Sequence, residues 1–389
     1  MSAGGFAARL YRGEAGVDIV GRRRIWFIVA GVAIVIAIAS MLLRGFTLGI
    51  EFEGGNQYNV PVKVGTLDQV EQAFTEAGVS VKTGQTVGDS QYIIKTELIN
   101  DAARQTEIKE SVAQHFNIAP EQISDSAVST SWGGQVTQKA ALSLAIFLAA
   151  VLVYLIVRFE WRMAAAAIAS LLLDLVLTGG VYSLVGFEVT PSTVIGFLTI
   201  LGFALYDVVV VFDKVQENTR GITGSSTSTY TEAANLAVNQ TLMRSINTGL
   251  VALLPVGGLL FIGAGLLGAG TLKDLGLVLF IGMGVAVYSS IFFATPVLAE
   301  LKSREPRLQA HANRVASRRA ALAKEQANRA QTVARDSDGV PIGSGGKAKT
   351  TERSELAGAA PRPGARPSSR PGQGKRPRAG GRPGGSGRR

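Results

Sequence analysis

Apolar positions gather into six long runs, and everything else in the chain is arranged between them. Residues 25–43 contain one polar side chain, Ser40. As a helix that run measures roughly 28 Å, enough to cross a hydrocarbon core. Comparable runs occupy 140–157, 163–185, 192–212, 240–262 and 275–298. The pattern predicts a polytopic α-helical membrane protein with six transmembrane helices. Between the first two runs the periodicity changes. Residues 57–64, 79–87, 91–96 and 126–132 read as strands, the middle pair turning at 88–90. Thr66 and Gln69 have capping-box spacing ahead of a helix closed by Gly78. A second helix over 100–116 carries Ile108, Val112 and Phe116 on one face. The order βαββαβ is that of a ferredoxin-like α+β domain, here external to the membrane. The expected organisation is a cytoplasmic segment at 1–24, a first span at 25–43, the external domain at 44–136, spans two to six within 137–301, and a tail at 302–389.

The loops complete this plan. Residues 187–191 predict a short external hairpin, 213–239 a polar cytoplasmic segment with an amphipathic stretch at 232–238, and 263–274 a glycine-rich external loop. Arg22, Arg23 and Arg24 place the N-terminus in the cytoplasm by the positive-inside rule. A basic segment before an apolar stretch also describes a signal peptide, but this run continues through Met41, Leu42 and Leu43, which favours an uncleaved anchor. Six spans return the C-terminus to the cytoplasm.

Charge is distributed unevenly. The chain holds 39 Lys/Arg and 29 Asp/Glu; residues 302–389 hold 21 and 6 of these, so the tail carries +15 and the remainder −5. Beyond about residue 330 the chain is rich in Pro, Gly, Arg and Ser and is expected to be disordered. Its basicity suits weak attraction to anionic lipid or the ribosome, with no specific nucleic-acid recognition. There are no cysteines, which removes thiol nucleophiles, thiolate metal sites and disulfides. His115 and His311 lie outside the apolar runs, so a histidine relay within the membrane is excluded. The external carboxylates are scattered, and no catalytic constellation, metal site or cofactor site is expected. GAGLLG at 263–268 matches a dinucleotide fingerprint by letters, but it follows a membrane helix and opens no βαβ unit.

The candidate chemistry lies inside the apolar runs. Asp207 interrupts the fourth, where an ionised carboxylate costs roughly 2.5 to 3.5 kcal/mol on insertion scales. It sits six residues, roughly 9 Å, inside Asp213. Arg244 lies at similar depth on the fifth run, in a polar stripe with Gln240, Thr241, Asn247 and Thr248. The expectation is an Asp207–Arg244 pair. Burial opposes the aspartate's charge and a guanidinium favours it, which suits either a carboxyl that exchanges a proton as helices move or a permanent structural salt bridge. Asp174 lies near the middle of the third run with Ser170 and Thr178 one turn either side. On the sixth, Gly282, Ala286, Ser290 and Ala294 form a small-residue stripe that permits close approach of a neighbour, expected to be the fourth span.

These residues carry a family resemblance. GIEFEGG at 49–55, DVVVVFDKVQEN at 207–218, NQTLMRSINT at 239–248 and IGMGVAVYSSIFFATPVL at 281–298 resemble the SecD/SecF family of bacterial protein export, and within it the smaller, SecF type of subunit. The resemblance covers nearly all of residues 20–300. It implies the membrane half of an RND-superfamily assembly in the bacterial cell membrane, no cofactor, and no enzyme activity. It implies a SecD partner supplying the other half, the SecYEG channel with YidC and YajC as neighbours, and translocating preproteins as clients. Proton flow would then drive movement of the external domain. By motif position Asp207 matches the family's proton-responsive aspartate, Arg244 its arginine in the fifth span, and Asp213 the acid at the cytoplasmic end. Gly49, Glu51, Gly54 and Gly55 match the motif that opens the external domain. The chain departs from the pattern at Glu51, where the family has Asp, and at Phe203, Ala204, Tyr206 and Val208, where three hydroxyls that would orient the carboxylate are missing. The tail has no family motif but suits an actinobacterial source. Two competing readings are half of an RND-type small-molecule or lipid exporter, and a non-transporting translocon assembly factor.

Overall fold

Among the described residues six helices are long and apolar enough to cross a membrane, and the polar segment after the first folds on its own sheet. The structure, a computed structural model, describes residues 16–88, 90–266 and 270–337; Asp89 in the expected turn, and the tail from residue 338, lie outside them. Helix α1 (Arg23–Arg44) is followed by the two-residue strand β1 (Thr47–Leu48) and the single turn α2 (Ile50–Glu53). The external domain then runs β2 (Gly55–Pro61), α3 (Leu67–Glu76), β3 (Val81–Val87), β4 (Gln91–Thr96), α4 (Ala102–His115) and β5 (Ser124–Val128). Its sheet order β3-β4-β2-β5 is antiparallel throughout, the ferredoxin-like arrangement. Thr66 and Gln69 close the capping box, satisfying amide donors at the start of α3. Tyr58, Phe74, Ile94, Ile108, Val112 and Ile123 are fully buried between the sheet and its two helices.

The membrane part follows as α5 (Thr130–Arg158), α6 (Trp161–Val185), strand β6 (Glu188–Val189), α7 (Pro191–Thr219) and α8 (Tyr230–Gly257). A π-helical stretch, Gly258–Leu266, extends α8. Then come α9 (Gly270–Ser289), a π-helical turn Ser290–Ala294, α10 (Thr295–Ser303) and α11 (Pro306–Ser337). Large apolar side chains such as Ile28, Val35, Val153, Val157, Val251 and Leu254 are exposed along the spans, as a hydrocarbon surround permits.

Several boundaries differ from those read in the sequence. The last external strand ends at Val128, and α5 begins at Thr130, ten residues before the apolar run. Ser129 caps it by accepting from the Trp132 amide at 3.3 Å; hydropathy registers where a helix meets lipid, not where it starts. The expected hairpin at 187–191 is instead β6, paired in parallel with β1 just after the first span. Thr190 and Thr193 cap α7 reciprocally, with Pro191 at its first turn. The amphipathic stretch at 232–238 is the opening of α8, capped by Thr229 and Glu232. Most of the expected glycine-rich loop is helical on both sides of 267–269. Helix α11 continues to Ser337, past the point where periodicity fades at about 330.

Helices α7 and α9 form the centre of the bundle. A side-chain carbon added at Gly282 would lie 2.1 Å from Ile200, and one at Gly196 would lie 2.1 Å from Val278. The small residues on each helix therefore receive the branched residues of the other, the close approach expected of such stripes in membranes.

Candidate proton-coupling site

That close crossing seals Asp207 in the bundle, 2% exposed. Two serines from neighbouring helices hold it. Ser245 of α8 donates to Oδ1 at 2.8 Å, and Ser290, at the start of the π-helical turn, donates to Oδ2 at 2.5 Å. Both serines are fully buried. The hydroxyls that hold the carboxylate come from the two elements facing it.

The expected pairing of Asp207 with Arg244 is corrected. Arg244 Nη2 donates to the Tyr206 hydroxyl at 3.2 Å, and the guanidinium is exposed on this chain. The contact with Tyr206 keeps Arg244 close to the depth of the aspartate, one residue away in sequence. The error lies in rotation: consecutive helical residues are separated by about 100°, so Ser245 occupies the angle that faces Asp207 and Arg244 turns aside. Gln240 and Asn247 are exposed on the same open side, while Thr248 is half-buried. Gln240 Oε1 accepts from Asn218 at 3.0 Å. Thr241 is buried and donates to the Ala237 carbonyl at 3.0 Å, so the outward face of the stripe is Gln240, Arg244 and Asn247, with Arg244 tethered one residue from the buried carboxyl.

Asp213, six residues further along α7, pairs with Arg158 at the end of α5 at 2.6 Å. Both line an open cavity of about 650 Å³ with Glu160, Gln216, Glu217 and Arg220. Asp174 of α6 is fully buried and neither carboxyl oxygen has a hydrogen-bond partner. Gly282, Ala286 and Ser290 lie on the sixth-span face turned to α7, and Ser290 reaches Asp207 itself.

The external motif is the joint between membrane and domain. The Gly49 amide donates to Val189 of β6 at 2.9 Å, and Gly49 precedes α2. Gly54 has φ +83 and abuts the Thr130 backbone, while a side chain at Gly55 would strike Ile50 and the Thr96 carbonyl; side chains at both are opposed, by conformation at the first and space at the second. Glu51 reaches Lys95 of β4 at 3.6 Å. Lys95 is buried and pairs more closely with Glu188 of β6, at 2.6 Å. Glu188 also accepts from Gln85 of β3 at 3.1 Å, and Lys273 of α9 donates to Gln85 at 3.4 Å. Burial opposes the Lys95 charge, but Glu188, Glu51 and Asp274 outweigh it and hold the ammonium above its ordinary range. The sequence reading missed Lys95, Glu188 and Ser245. The signal for Lys95 was its phase: in β4 it alternates with core residues Tyr92 and Ile94, so it stands on the sheet face away from the domain's helices.

Comparison with known proteins bears on this geometry. Residues 107–304 match the family described as Protein export membrane protein SecD/SecF, C-terminal. Protein translocase subunit SecF of Mycobacterium tuberculosis (strain H37Rv) is 43% identical over 379 residues, covering 93% of this chain and 86% of the relative. Protein translocase subunit SecF of Streptomyces coelicolor is 46% identical over 318 residues, covering 82% and 85%. Among solved structures, SecDF of Thermus thermophilus, a translocon-associated membrane protein, superposes with a TM-score of 0.64 at 26% identity; the match covers 74% of this chain but 39% of that longer one.

Proposed function

The chain belongs to the SecD/SecF family of protein-export membrane proteins, as a multi-pass subunit with an accessory role in export, and from that premise we propose that it converts proton movement at Asp207 into displacement of its external domain. One observation carries the reading. Asp207 is sealed at membrane depth and, among the described residues, its carboxylate is held by two serine hydroxyls from two other helices. A buried carboxyl changes its hydrogen-bonding demands when it gains or loses a proton, because the ionised form only accepts while the acid also donates. Here such a change falls on the contact among α7, α8 and the turn that follows α9. The start of α9 carries Lys273, linked through Gln85 to Glu188 and Lys95, a continuous path to the external sheet. Arg244, one residue off Asp207's face, is positioned to take the carboxylate when α8 rotates.

The partner follows from what this chain leaves open. Gln240, Arg244 and Asn247 present polar groups on the outside of a membrane helix, where lipid is a poor neighbour. The length of the Thermus SecDF chain, of which this chain matches 39%, supports a SecD-type subunit as the cover. SecYEG, YidC, YajC and the exported preprotein complete the proposed assembly. In this reading the chain is not an enzyme, both termini are cytoplasmic, and the sheet domain works on the far side of the membrane. The test is reconstitution of the chain with its SecD-type partner and the channel in proteoliposomes. Imposing a proton gradient is expected to speed preprotein release only when this chain is present; equal release with and without it refutes the proposal.

A further inference from the structure

Asp174 is the second carboxyl sealed in the bundle, and its surroundings differ from those of Asp207. Ser170 and Thr178, one turn either side on α6, are fully buried and their hydroxyls also lack partners. Ser289 stands within hydrogen-bonding reach of the carboxyl, although in this conformation its hydroxyl donates to the Ala286 carbonyl at 3.1 Å. The charged and titratable groups on the elements packed against α6 are Arg23, Arg24 and Arg44 on α1, Lys139, Tyr154 and Arg158 on α5, Tyr206, Asp207, Asp213, Lys214 and Glu217 on α7, Lys273, Asp274 and Tyr288 on α9, and Glu300 and Lys302 on α10. Among the described residues no cationic side chain hydrogen-bonds either oxygen of Asp174. An ionised carboxylate buried without a counter-charge is a costly state, which suits this position to binding a proton.

Neighbouring serines link this group to the first site. Ser290 donates to Asp207, and Ser289, the residue before it, stands beside Asp174. They sit where α9 gives way to the π-helical turn Ser290–Ala294, a local widening of the helix that often marks functional sites. We propose that Asp174 is a second proton-binding site of this membrane bundle, coupled to Asp207 through the Ser289–Ser290 turn. A shift of that turn which releases Ser290 from Asp207 also moves Ser289 relative to Asp174, so the protonation states of the two carboxyls depend on one another. The coupling, though not the Asp174 site itself, rests on the proton-responsive reading of Asp207.

The experiment is infrared difference spectroscopy of the carboxyl C=O region, on the chain reconstituted with its SecD-type partner, alongside gradient-driven preprotein release. D174N replaces the carboxyl by a near-isosteric amide, so the protein is expected to remain folded, to lose a protonated-carboxyl band, and to lose gradient stimulation several-fold. S289A is expected to shift the same band without removing it. A D174N protein that keeps the full set of bands, or keeps wild-type gradient dependence, overturns the proposal. If D174N does not fold, S289A decides: a shifted band supports the site and an unshifted one overturns it. D207N separates the two readings, since gradient dependence surviving in D207N refutes the role of Asp207 and with it the coupling, whereas a band lost in D174N still identifies the buried acid.

Discussion

Asp207 was legible in the sequence and its partners were not. A carboxylate within an apolar run stands out because hydrocarbon offers nothing to solvate it. Its partners depend on the angle at which α8 presents its side chains, and one residue of rotation exchanges Arg244 for Ser245. Apolar flanks leave that angle undetermined from a single chain. The geometry makes a prediction at this scale. Arg244 is exposed and touches Tyr206, not Asp207, so Arg244→Ala is expected to leave the chain's thermal stability within about 0.5 kcal/mol. Gradient-driven release should nonetheless fall. A large loss of stability, measured by thermal unfolding in detergent, would show that the arginine has a structural role in this chain. Lys95 behaves differently. Its pKa lies above the ordinary 10.5, so its contribution to stability is fully present below that value and is lost only as pH rises through the raised one. Around neutral pH the joint is therefore not expected to respond to titration of this lysine, which hydrogen exchange across the external sheet can check.

Elements were easier to read than residues, because bilayer thickness sets the length of a span and the pleat sets the period of a strand. What escaped were features made by distant segments. Strands β1 and β6 are two residues each and lie 141 positions apart, far too little pattern to detect. The junction they support rests on Lys95, Glu188 and Glu51. Lys95→Met leaves two carboxylates near a buried site without their cation, a loss of about 3 to 5 kcal/mol for a broken buried pair. Limited proteolysis should show the external domain loosened from the membrane part, and the double variant Lys95→Met with Glu188→Leu should recover most of the loss. If the single variant is as resistant as wild type, the joint is not electrostatic. The helix crossing yields a parallel expectation. Gly282→Leu forces side-chain atoms into Ile200 and should cost about 1 to 3 kcal/mol by overpacking, read as a lower unfolding temperature.

At the scale of the molecule, the order of parts was clear from alternating hydropathy, and the ferredoxin-like topology followed from the order of its elements. The outward direction of the stripe on α8 was not clear, since a polar face inside a membrane looks the same in sequence whether it meets its own bundle or another subunit. If a SecD-type partner covers it, Gln240→Leu with Asn247→Leu should reduce co-purification of that partner while leaving the external domain folded. Undiminished recovery would place the interface elsewhere. The central claim is that Asp207 couples a proton to work outside the membrane. The most direct measurement is preprotein release from proteoliposomes containing the channel, the partner and this chain with Asp207→Asn. Release should continue at the gradient-independent rate and lose its response to an imposed proton gradient. Release as dependent on the gradient as in the wild type would contradict the account.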